Sequence, residues 1–384
     1  MSLCDLQVEE PLALPAGLPE GVPPLRAFYL YMTTGCNLRC RHCWVVPRYV
    51  KGKPHPGEVI DPRLLQRAVE EAKPLGLCSA KITGGEPLLH PQFKEIVKML
   101  SEQGLDLNME TNGTLMTPQL ARWLKQETRM GFISVSLDGA DAAAHDSFRG
   151  VPGAFDSALF GLDALVGAGY RNVQVIMSVY RGNALQIDDV VALARAHGAG
   201  SVKFTPVTNT GRGIALHEGG EALDLQERLA LAKYIQDDLA RRSGISLVIN
   251  LPPALQTFDR LWQSRGRTGD CGVARILGIL GSGEIAMCGI GQTIPELVYG
   301  RLGEDRIRDI WLCHPKLLEL RRKLEDVRAY PGICGDCIHA GTCRTGCVAN
   351  NYVDQSRLVW PSVFCTQAEE RGLFPDGRRK SSSI

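Results

Sequence analysis

The sequence has almost no net charge, no long apolar run and no secretion signal, and each absence excludes a class of protein. Its 43 Lys and Arg residues balance 42 Asp and Glu residues, which leaves a formal charge of +1 and argues against a nucleic-acid-binding protein driven by bulk charge. No run approaches the roughly 18 apolar residues of a membrane span. Residues 1–15 lack the basic n-region of a signal peptide. We therefore expect a cytoplasmic protein that binds neither nucleic acid nor membrane.

Cysteine is almost absent from the middle of the chain, although the sequence contains 13 cysteines. Between Cys43 and Cys271 there is only Cys78. Disulfides are not expected in a reducing compartment, so clustered thiols in such a protein predict metal ligation. Hydrophobic residues make up 44% of the chain, which supplies a sizeable core and excludes general disorder.

Strand-like and helix-like segments alternate from residue 28 onward, and this alternation predicts the fold class. The predicted strands are residues 28–33, 79–83, 105–110, 132–137, 173–179 and 202–206. The predicted helices are residues 62–73, 91–103, 118–128, 155–167, 184–196 and 225–242, with Asp61 and Thr117 as N-caps of the first and third. Six βα units in series predict a parallel α/β sheet, which right-handed crossovers curl toward a barrel.

The composition divides the chain into five parts. Residues 1–25 are a Pro-rich, extended lead-in, and residues 26–243 carry the βα series. Residues 244–270 form a bridging segment, residues 271–370 are rich in cysteine, and residues 371–384 end in a polar tail.

Three cysteines follow the first predicted strand with C-x3-C-x2-C spacing: Cys36, Cys40 and Cys43. Three thiolates on one loop can ligate three irons of a 4Fe–4S cube and leave the fourth iron open. A structural zinc ion normally takes a fourth protein ligand. His42 is poorly placed to supply it because it adjoins Cys43, but a zinc knuckle remains the alternative.

The spacing of these cysteines, directly after the first strand of a βα series, resembles the radical S-adenosylmethionine (radical SAM) superfamily. His42 stands at the aromatic position of that motif. The resemblance implies a partial (β/α)6 barrel, with Cys36, Cys40 and Cys43 as the catalytic cluster ligands. It also implies that SAM chelates the open iron and is cleaved to methionine and a 5′-deoxyadenosyl radical, which abstracts a substrate hydrogen.

Further residues at predicted strand ends match the family's SAM-binding positions. Gly84, Gly85 and Glu86 belong to a GGEP sequence, which in the family receives the methionine amino group. The resemblance also implies contacts of SAM with Asn112, Ser136, Asp138, Arg149 and Ser178, and with His42. Among these, Arg149 matches the arginine that pairs with the SAM carboxylate. An ordinary strand-end hydrogen bond or a surface charge is the alternative for these strand-end residues.

The C-terminal cysteines match the seven-cysteine signature of the SPASM extension, C-x9–15-G-x4-C, gap, C-x2-C-x5-C-x3-C, gap, C. The matching cysteines are Cys271, Cys288, Cys334, Cys337, Cys343, Cys347 and Cys365, and the glycine is Gly283. The resemblance implies two auxiliary clusters, and thus three 4Fe–4S clusters in all. The first auxiliary set is Cys334, Cys337, Cys343 and Cys365, and the second is Cys271, Cys288 and Cys347. Two zinc ribbons are the alternative.

The second auxiliary set has only three cysteines in this sequence. Relatives with a fully ligated cluster have another cysteine before the first, and residues 263–270 contain none. We therefore predict an open iron that binds a substrate thiolate. Cys313 is a spare candidate ligand, although a buried, non-ligating thiol is favoured there.

These resemblances predict a radical SAM/SPASM enzyme that modifies a ribosomally made peptide, by a thioether or another crosslink. One alternative is oxidation of a small molecule such as a haem-pathway tetrapyrrole, because residues 206–213 loosely resemble a stretch of the haem-pathway relatives. Another is sulfatase-type oxidation of Cys or Ser. Gly289 puts the latter in doubt, because sulfatase-maturing relatives carry an aspartate base there. The alternative outside enzymes is a multi-cluster electron-transfer protein.

Two protein partners are expected besides the peptide. Many peptide maturases begin with a leader-binding winged helix, and the 35 residues before Cys36 are too few for one. A separate leader-binding protein is therefore possible. Cleavage of SAM also needs an external electron donor, such as flavodoxin or ferredoxin.

Overall fold

The computed structural model describes residues 18–51, 53–263 and 272–380. Within them it forms ten strands. They are β1 (Ala27–Tyr31), β2 (Ser79–Thr83), β3 (Asp106–Thr111), β4 (Met130–Ser136), β5 (Gln174–Val179), β6 (Ser201–Pro206), β7 (Ser246–Ile249), β8 (Ile276–Ile279), β9 (Glu284–Ala286) and β10 (Val298–Arg301).

Six helices of the first half alternate with the strands as the sequence predicts, and two short helices, residues 142–149 and 213–218, were not predicted. They are α1 (Pro62–Ala72), α2 (Phe93–Glu102), α3 (Pro118–Glu127), α4 (Ala142–Arg149), α5 (Ala154–Gly167), α6 (Ile187–Ala196), α7 (Gly213–Glu218) and α8 (Leu225–Lys233). A π-helical segment, Tyr234–Leu239, joins α8 to α9 (Ala240–Ser243). The remaining described helices are α10 (Phe258–Gln263), α11 (Ile307–Cys313), α12 (Pro315–Glu325), α13 (Gly332–Asp336), α14 (Ala340–Cys343), α15 (Val348–Gln355) and α16 (Val363–Glu370).

Local capping fixes where the helices begin. Asp61 accepts hydrogen bonds from the N–H groups of Arg63 and Leu64 at the start of α1, and Thr117 caps α3 in the same way. A proline occupies the first position of both helices, where its missing N–H costs nothing. Both predicted N-caps are confirmed.

All ten strands belong to one sheet, in the order β10-β9-β8-β1-β2-β3-β4-β5-β6-β7. Strands β1 to β7 are parallel to their neighbours, and β8 pairs parallel with β1 on the other side. Only β9 and β10 are antiparallel. The sequence predicted the first six strands. The sheet also takes up β7 from the expected bridging segment and β8 to β10 from the cysteine-rich part.

The two faces of the sheet have different surroundings. Alternate residues such as Phe28, Leu30 and Ile82 are fully buried in the main core, together with Leu65 of α1 and Ile96 of α2. The other residues of the same strands form what we call the inner face, and they are more polar and partly accessible. Because β1 to β6 run parallel, their carboxyl ends lie at one edge, where ligands bind in parallel α/β folds.

No helix in the described ranges is long and apolar enough to cross a membrane.

Candidate active site

The loop after β1 brings Cys36, Cys40 and Cys43 together. Cys36 and Cys40 are buried, and Cys43 packs against the same small cluster of apolar side chains. Burial raises the pKa of Cys40 to about 11, and the neighbouring thiol of Cys43 acts in the same direction. Burial and mutual repulsion disfavour the thiolate form of these cysteines. A bound metal centre would stabilise the thiolates.

Hydrogen-bond donors point at two of these sulfurs. The Leu38 N–H lies 3.4 Å from Cys36 Sγ, and Asn112 Nδ2 lies 3.9 Å from the same sulfur. Arg149 Nη1 lies 3.6 Å from Cys40 Sγ. Such donors stabilise thiolates that ligate iron–sulfur clusters. In the described ranges no three His, Cys, Asp or Glu side chains converge on one metal ion. Three thiols on one loop, two of them with hydrogen-bond donors at the sulfur, are a ligand set that fits a 4Fe–4S cluster.

The GGEP segment packs directly against the cysteine loop. Gly85 N–H donates to the Thr33 carbonyl and Glu86 N–H to the Gly35 carbonyl, both at 3.0 Å. A Cβ at Gly85 would lie 1.8 Å from the Gly35 carbonyl oxygen, and Gly84 has a φ of +133°. Glycine is required at both positions, by close backbone approach at one and by backbone conformation at the other.

The carboxylate of Glu86 is fully buried and largely used within the protein. It accepts hydrogen bonds from Thr111 Oγ1 at 2.7 Å, from the Asn112 N–H at 2.9 Å and from the Leu88 N–H at 3.1 Å. Burial raises the pKa of Glu86 to about 6, and these hydrogen bonds oppose the rise. A carboxylate has about four acceptor positions, so one remains for a ligand ammonium.

Asp138 and Arg149 form a buried ion pair, with Arg149 Nε 2.7 Å from Asp138 Oδ2. The second carboxylate oxygen accepts from the Ser178 N–H at 2.6 Å. Burial by itself raises the pKa of Asp138, but the Arg149 guanidinium and the hydrogen bond from the Ser178 N–H hold it below its usual value. The family resemblance predicted that Arg149 pairs with the carboxylate of SAM. The structure shows Arg149 between Asp138 and Cys40, so it links the end of β4 to the cysteine loop.

His42 lies beside the same ion pair, with its Nε2 4.0 Å from Asp138 Oδ2. Its ring stacks on Phe148 with centroids 4.5 Å apart, and Phe148 stacks on Tyr180 at 4.3 Å. Burial lowers the pKa of His42 to about 4, so the imidazole is neutral near pH 7. The flat, apolar stack explains why a histidine is accepted at an aromatic position.

The remaining predicted contacts lie along the same edge. Asn112 follows β3, and its Nδ2 donates to Asn37 Oδ1 at 2.8 Å. Ser136 ends β4, and Ser178 lies one residue before the end of β5. The structure therefore brings the predicted SAM-binding residues to one edge of the sheet.

The segment after β6 contacts the cysteine loop and holds it in place, and the sequence did not predict this contact. Arg212 donates from Nη1 to the Cys40 carbonyl and from Nη2 to the Pro47 carbonyl, both at 3.1 Å. A Cβ at Gly211 would lie 2.7 Å from the backbone of Trp44. The GRG sequence was the available signal, and its role in the structure is to hold the cysteine loop.

The described C-terminal cysteines influence one another in two groups. The pKa of Cys365 is raised first by burial and then by the nearby thiols of Cys334, Cys343 and Cys337. Burial raises the pKa of Cys288 to about 12, and the thiol that adds to this shift is Cys347. Cys271 lies outside the described residues. Cys313 ends α11 with an exposed side chain, so the expectation that it is buried is wrong.

Gly289 lies against the ring of Tyr31. A Cβ at position 289 would lie 2.0 Å from Tyr31 Cζ and 2.1 Å from the Tyr31 hydroxyl oxygen. The aspartate base of sulfatase-maturing relatives therefore cannot be placed here without moving Tyr31.

This contact predicts the cost of a side chain at position 289. We expect Gly289→Ala to lower the free energy of unfolding by roughly 1–3 kcal/mol, because the methyl group overpacks the junction with Tyr31. Chemical denaturation under anaerobic conditions measures it. Gly167→Ala is the control, since nothing lies within 4 Å of a Cβ there. Because Tyr31 is buried, Tyr31→Ala itself costs roughly 3–5 kcal/mol, so the contact is tested by a double-mutant cycle in which Gly289→Ala should cost less in the Tyr31→Ala background. A stable Gly289→Ala protein would contradict the packing argument.

A family model matches the part of the chain that holds most of the βα series. Residues 30–194 match the family model described as the Radical SAM superfamily. Residues 30–194 therefore form a radical SAM domain, which identifies an enzyme that uses SAM radical chemistry, and a cysteine-rich C-terminal region follows it. The class implies a 4Fe–4S cluster and SAM as cofactors, and it replaces the electron-carrier alternative.

Particular relatives cover most of the chain. The AdoMet-dependent heme synthase of Methanosarcina barkeri is 28% identical over 353 residues, which cover 87% of this chain and 94% of that protein. The mycofactocin maturase MftC of Mycobacterium tuberculosis is 28% identical over 343 residues, which cover 88% of this chain and 81% of that protein.

Solved structures share the fold at low sequence identity. Streptococcus suis SuiB bound to its precursor peptide SuiA has a TM-score of 0.66 at 16% identity, covering 89% of this chain and 76% of SuiB. The enzyme anSMEcpe with bound AdoMet and a peptide has a TM-score of 0.67 at 16% identity, covering 91% of this chain and 95% of that chain.

Proposed function

We propose that this enzyme modifies a ribosomally made peptide by radical chemistry, forming a thioether or another crosslink. The observation that carries the proposal is the similarity to named biosynthetic maturases over most of the chain. Besides MftC, the subtilosin biosynthesis protein AlbA of Bacillus subtilis, named for an antilisterial bacteriocin, is 26% identical over 337 residues, which cover 85% of this chain and 70% of AlbA.

We assign Cys36, Cys40 and Cys43 as ligands of the cluster that binds SAM. When bound, the cluster and SAM supply the 5′-deoxyadenosyl radical that abstracts a substrate hydrogen. Around them we place Gly84, Gly85 and Glu86 at the amino end of SAM. His42, Asn112, Ser136, Asp138, Arg149 and Ser178 are assigned to the rest of the SAM-binding edge.

The protein's own groups have three tasks in this proposal. Leu38 and Arg149 orient the sulfurs by the hydrogen bonds described above. The open acceptor position of Glu86 would accept a hydrogen bond from the ammonium group of SAM. Asp138, which is fully buried at the carboxyl end of β4, holds the Arg149 side chain in place by their ion pair.

We further propose two auxiliary clusters, so that residues 271–370 act as an electron-transfer domain beside the βα domain of residues 26–243. Cys334, Cys337, Cys343 and Cys365 would hold one cluster, and Cys271, Cys288 and Cys347 the other. Flavodoxin or ferredoxin would supply the external electron, and a separate leader-binding protein would present the peptide.

Iron content tests the cluster count. Replacing Cys334, Cys337, Cys343 and Cys365 with Ala should remove about four of about twelve irons per chain, because one whole set is deleted. Iron assay and Mössbauer spectra of anaerobic protein measure this. Cys313→Ala is the control and should retain all iron, since that thiol is exposed. Iron loss in Cys313→Ala would make Cys313 a ligand and contradict the assignment.

The substrate is tested directly by mass spectrometry. Short peptides encoded beside the gene are incubated with reduced enzyme and SAM. We expect a loss of about two hydrogens from one peptide, in step with 5′-deoxyadenosine. A crosslink to cysteine predicts no product when the acceptor Cys is changed to Ser. If all such peptides are unchanged while SAM is cleaved, the peptide proposal fails and the radical SAM assignment stands.

A second candidate is radical modification of a haem-pathway tetrapyrrole. The heme synthase of Methanosarcina barkeri matches this chain at the same identity as MftC and over a larger share of its own length. The same assay with a propionate-bearing tetrapyrrole separates the two candidates, because only one substrate class should change mass.

A further inference from the structure

A cavity lies between the segment that follows β6 and the C-terminal helices. Its volume is about 410 Å³, within the range of about 300–1,000 Å³ that is usual for ligand pockets. One wall is the segment after β6 together with the start of α8, and the other wall belongs to α15 and α16. Arg228 of α8 joins the two walls, because its guanidinium lies 5.6 Å from the centroid of the Phe364 ring on α16. The cavity therefore exists only where two distant parts of the chain meet.

Many polar side chains of this cavity are uncharged and are not used by the protein itself. Five amide or hydroxyl side chains line it and make no hydrogen bond within the described part of the chain: Thr208, Asn209, Thr210, Asn350 and Gln367. The first three follow β6, and the other two belong to α15 and α16. Amide and hydroxyl groups can each donate and accept hydrogen bonds. Both walls therefore offer free donors and free acceptors.

The charged side chains of the cavity are largely occupied within the protein. Arg181 Nε lies 2.8 Å from Glu227 Oε1, and Asp224 caps α8 by accepting from the Glu227 N–H at 2.9 Å. Arg228 donates to two backbone carbonyl groups, at 2.9 and 3.2 Å. Arg371 is exposed at the rim, where solvent screens a contact with an anion. Among the described lining residues there is thus no buried cation without a partner, which a ligand with several carboxylates would need.

The cavity reaches toward both cysteine sites. Thr210 is followed by Gly211, where a Cβ would lie 2.8 Å from the Cys43 carbonyl oxygen, so this wall continues into a contact with the cysteine loop. Cys347 lines the other wall, three residues before Asn350. A chain bound in the cavity would therefore pass beside a proposed ligand of the second auxiliary set and beside the segment that holds the cysteine loop.

We propose that this cavity binds an extended segment of the substrate peptide through its main chain. The free amide and hydroxyl groups on the two walls exchange hydrogen bonds with the peptide N–H and C=O groups, which need partners once they leave water. Leu223, Leu225 and Phe364 supply apolar surface on which side chains of the peptide pack. Main-chain hydrogen bonds give affinity that depends little on sequence. This rests on the proposed function in one respect, that the substrate is a peptide.

Calorimetry on the anaerobic, reconstituted enzyme with SAM tests the cavity with three probes. The first is an N-acetylated hexapeptide amide of alternating alanine and serine. The second is the same peptide with every backbone nitrogen methylated, which removes its main-chain donors. The third is a porphyrin with free propionate groups. We expect the unmethylated peptide to bind at least about tenfold more tightly than the methylated one, because several hydrogen bonds are lost together.

Variants then assign this preference to the cavity. Asn350→Leu and Gln367→Met keep the approximate size of the side chain and remove its hydrogen-bonding groups, so each should reduce the preference about three- to tenfold. The double variant should bind the two peptides within about twofold of each other, since both walls then lack an amide. Gln119→Met, at an exposed position of α3, is the matched control and should keep the full preference. Iron content and the circular dichroism spectrum should match wild type in all four proteins.

Three results would overturn the proposal: no preference for the unmethylated peptide in wild type, full preference in the double variant, or a double variant that loses affinity for the porphyrin and not for the peptide. The outcome is separable from that of the peptide assay. A peptide that changes mass, with no main-chain preference in wild type, would leave the proposed function intact and reject the cavity. A preference that the double variant loses, with every neighbouring peptide unmodified, would support the cavity and reject the proposed function.

Discussion

Replacing Cys36, Cys40 and Cys43 together with Ala should abolish SAM cleavage and remove about four irons per chain. The reason is that these three thiols share one loop, two of them are buried, and their sulfurs receive hydrogen bonds from Leu38, Asn112 and Arg149. We expect 5′-deoxyadenosine to fall to the level of an enzyme-free control, measured by chromatography after reduction.

The matched control for this triple variant is Cys78→Ala. Cys78 precedes β2 and makes a hydrogen bond to the Arg26 carbonyl at 3.4 Å, away from the cysteine loop. It should retain full iron content and full SAM cleavage. SAM cleavage that persists in the triple variant would refute the assignment of this loop.

The second large effect is expected at the Asp138–Arg149 ion pair. Arg149→Ala leaves a buried carboxylate without its cation, which typically costs about 3–5 kcal/mol of unfolding free energy. Asp138→Asn combined with Arg149→Met removes both charges and should cost less than Arg149→Ala. Chemical denaturation of the anaerobic enzyme measures both.

A surface ion pair gives the control. Arg129 pairs with Asp106, and both side chains are about half exposed, at 51% and 56%. Arg129→Ala should therefore cost only about 0–1 kcal/mol. If Arg149→Ala is no worse than Arg129→Ala, the buried pair does not stabilise the fold as argued.

The same variants separate the structural role of Arg149 from its proposed contact with SAM. Loss of one charge-assisted contact should weaken SAM binding about ten- to a hundredfold, since such contacts are worth roughly 1.5–3 kcal/mol. Equilibrium dialysis measures the SAM affinity, without denaturant and at a temperature at which the variant stays folded. Normal SAM affinity would leave Arg149 as a residue that positions Asp138 and Cys40.

Local sequence patterns determined much of this protein. The helix starts at Asp61 and Thr117, the alternation of six strands and helices, and the grouping of Cys36, Cys40 and Cys43 on one loop all follow from residues close together in the chain. Such features depend on capping, side-chain periodicity and covalent spacing, which the sequence states directly. The GGEP segment could also be located, because its glycines mark close backbone approach.

Contacts between distant segments were decided only by the tertiary structure. The pairing of β8 with β1 places Gly278, which lies against Cys288, beside Tyr29, and Gly289 lies against Tyr31. No local sequence pattern predicts these contacts. The same holds for Arg149 with Asp138 and for Lys81 with Glu110. These pairs depend on strand order and on which face of the sheet a residue occupies. The sequence does not show whether a charged residue on a strand faces solvent, another side chain or a ligand, because its surroundings are set by the tertiary structure.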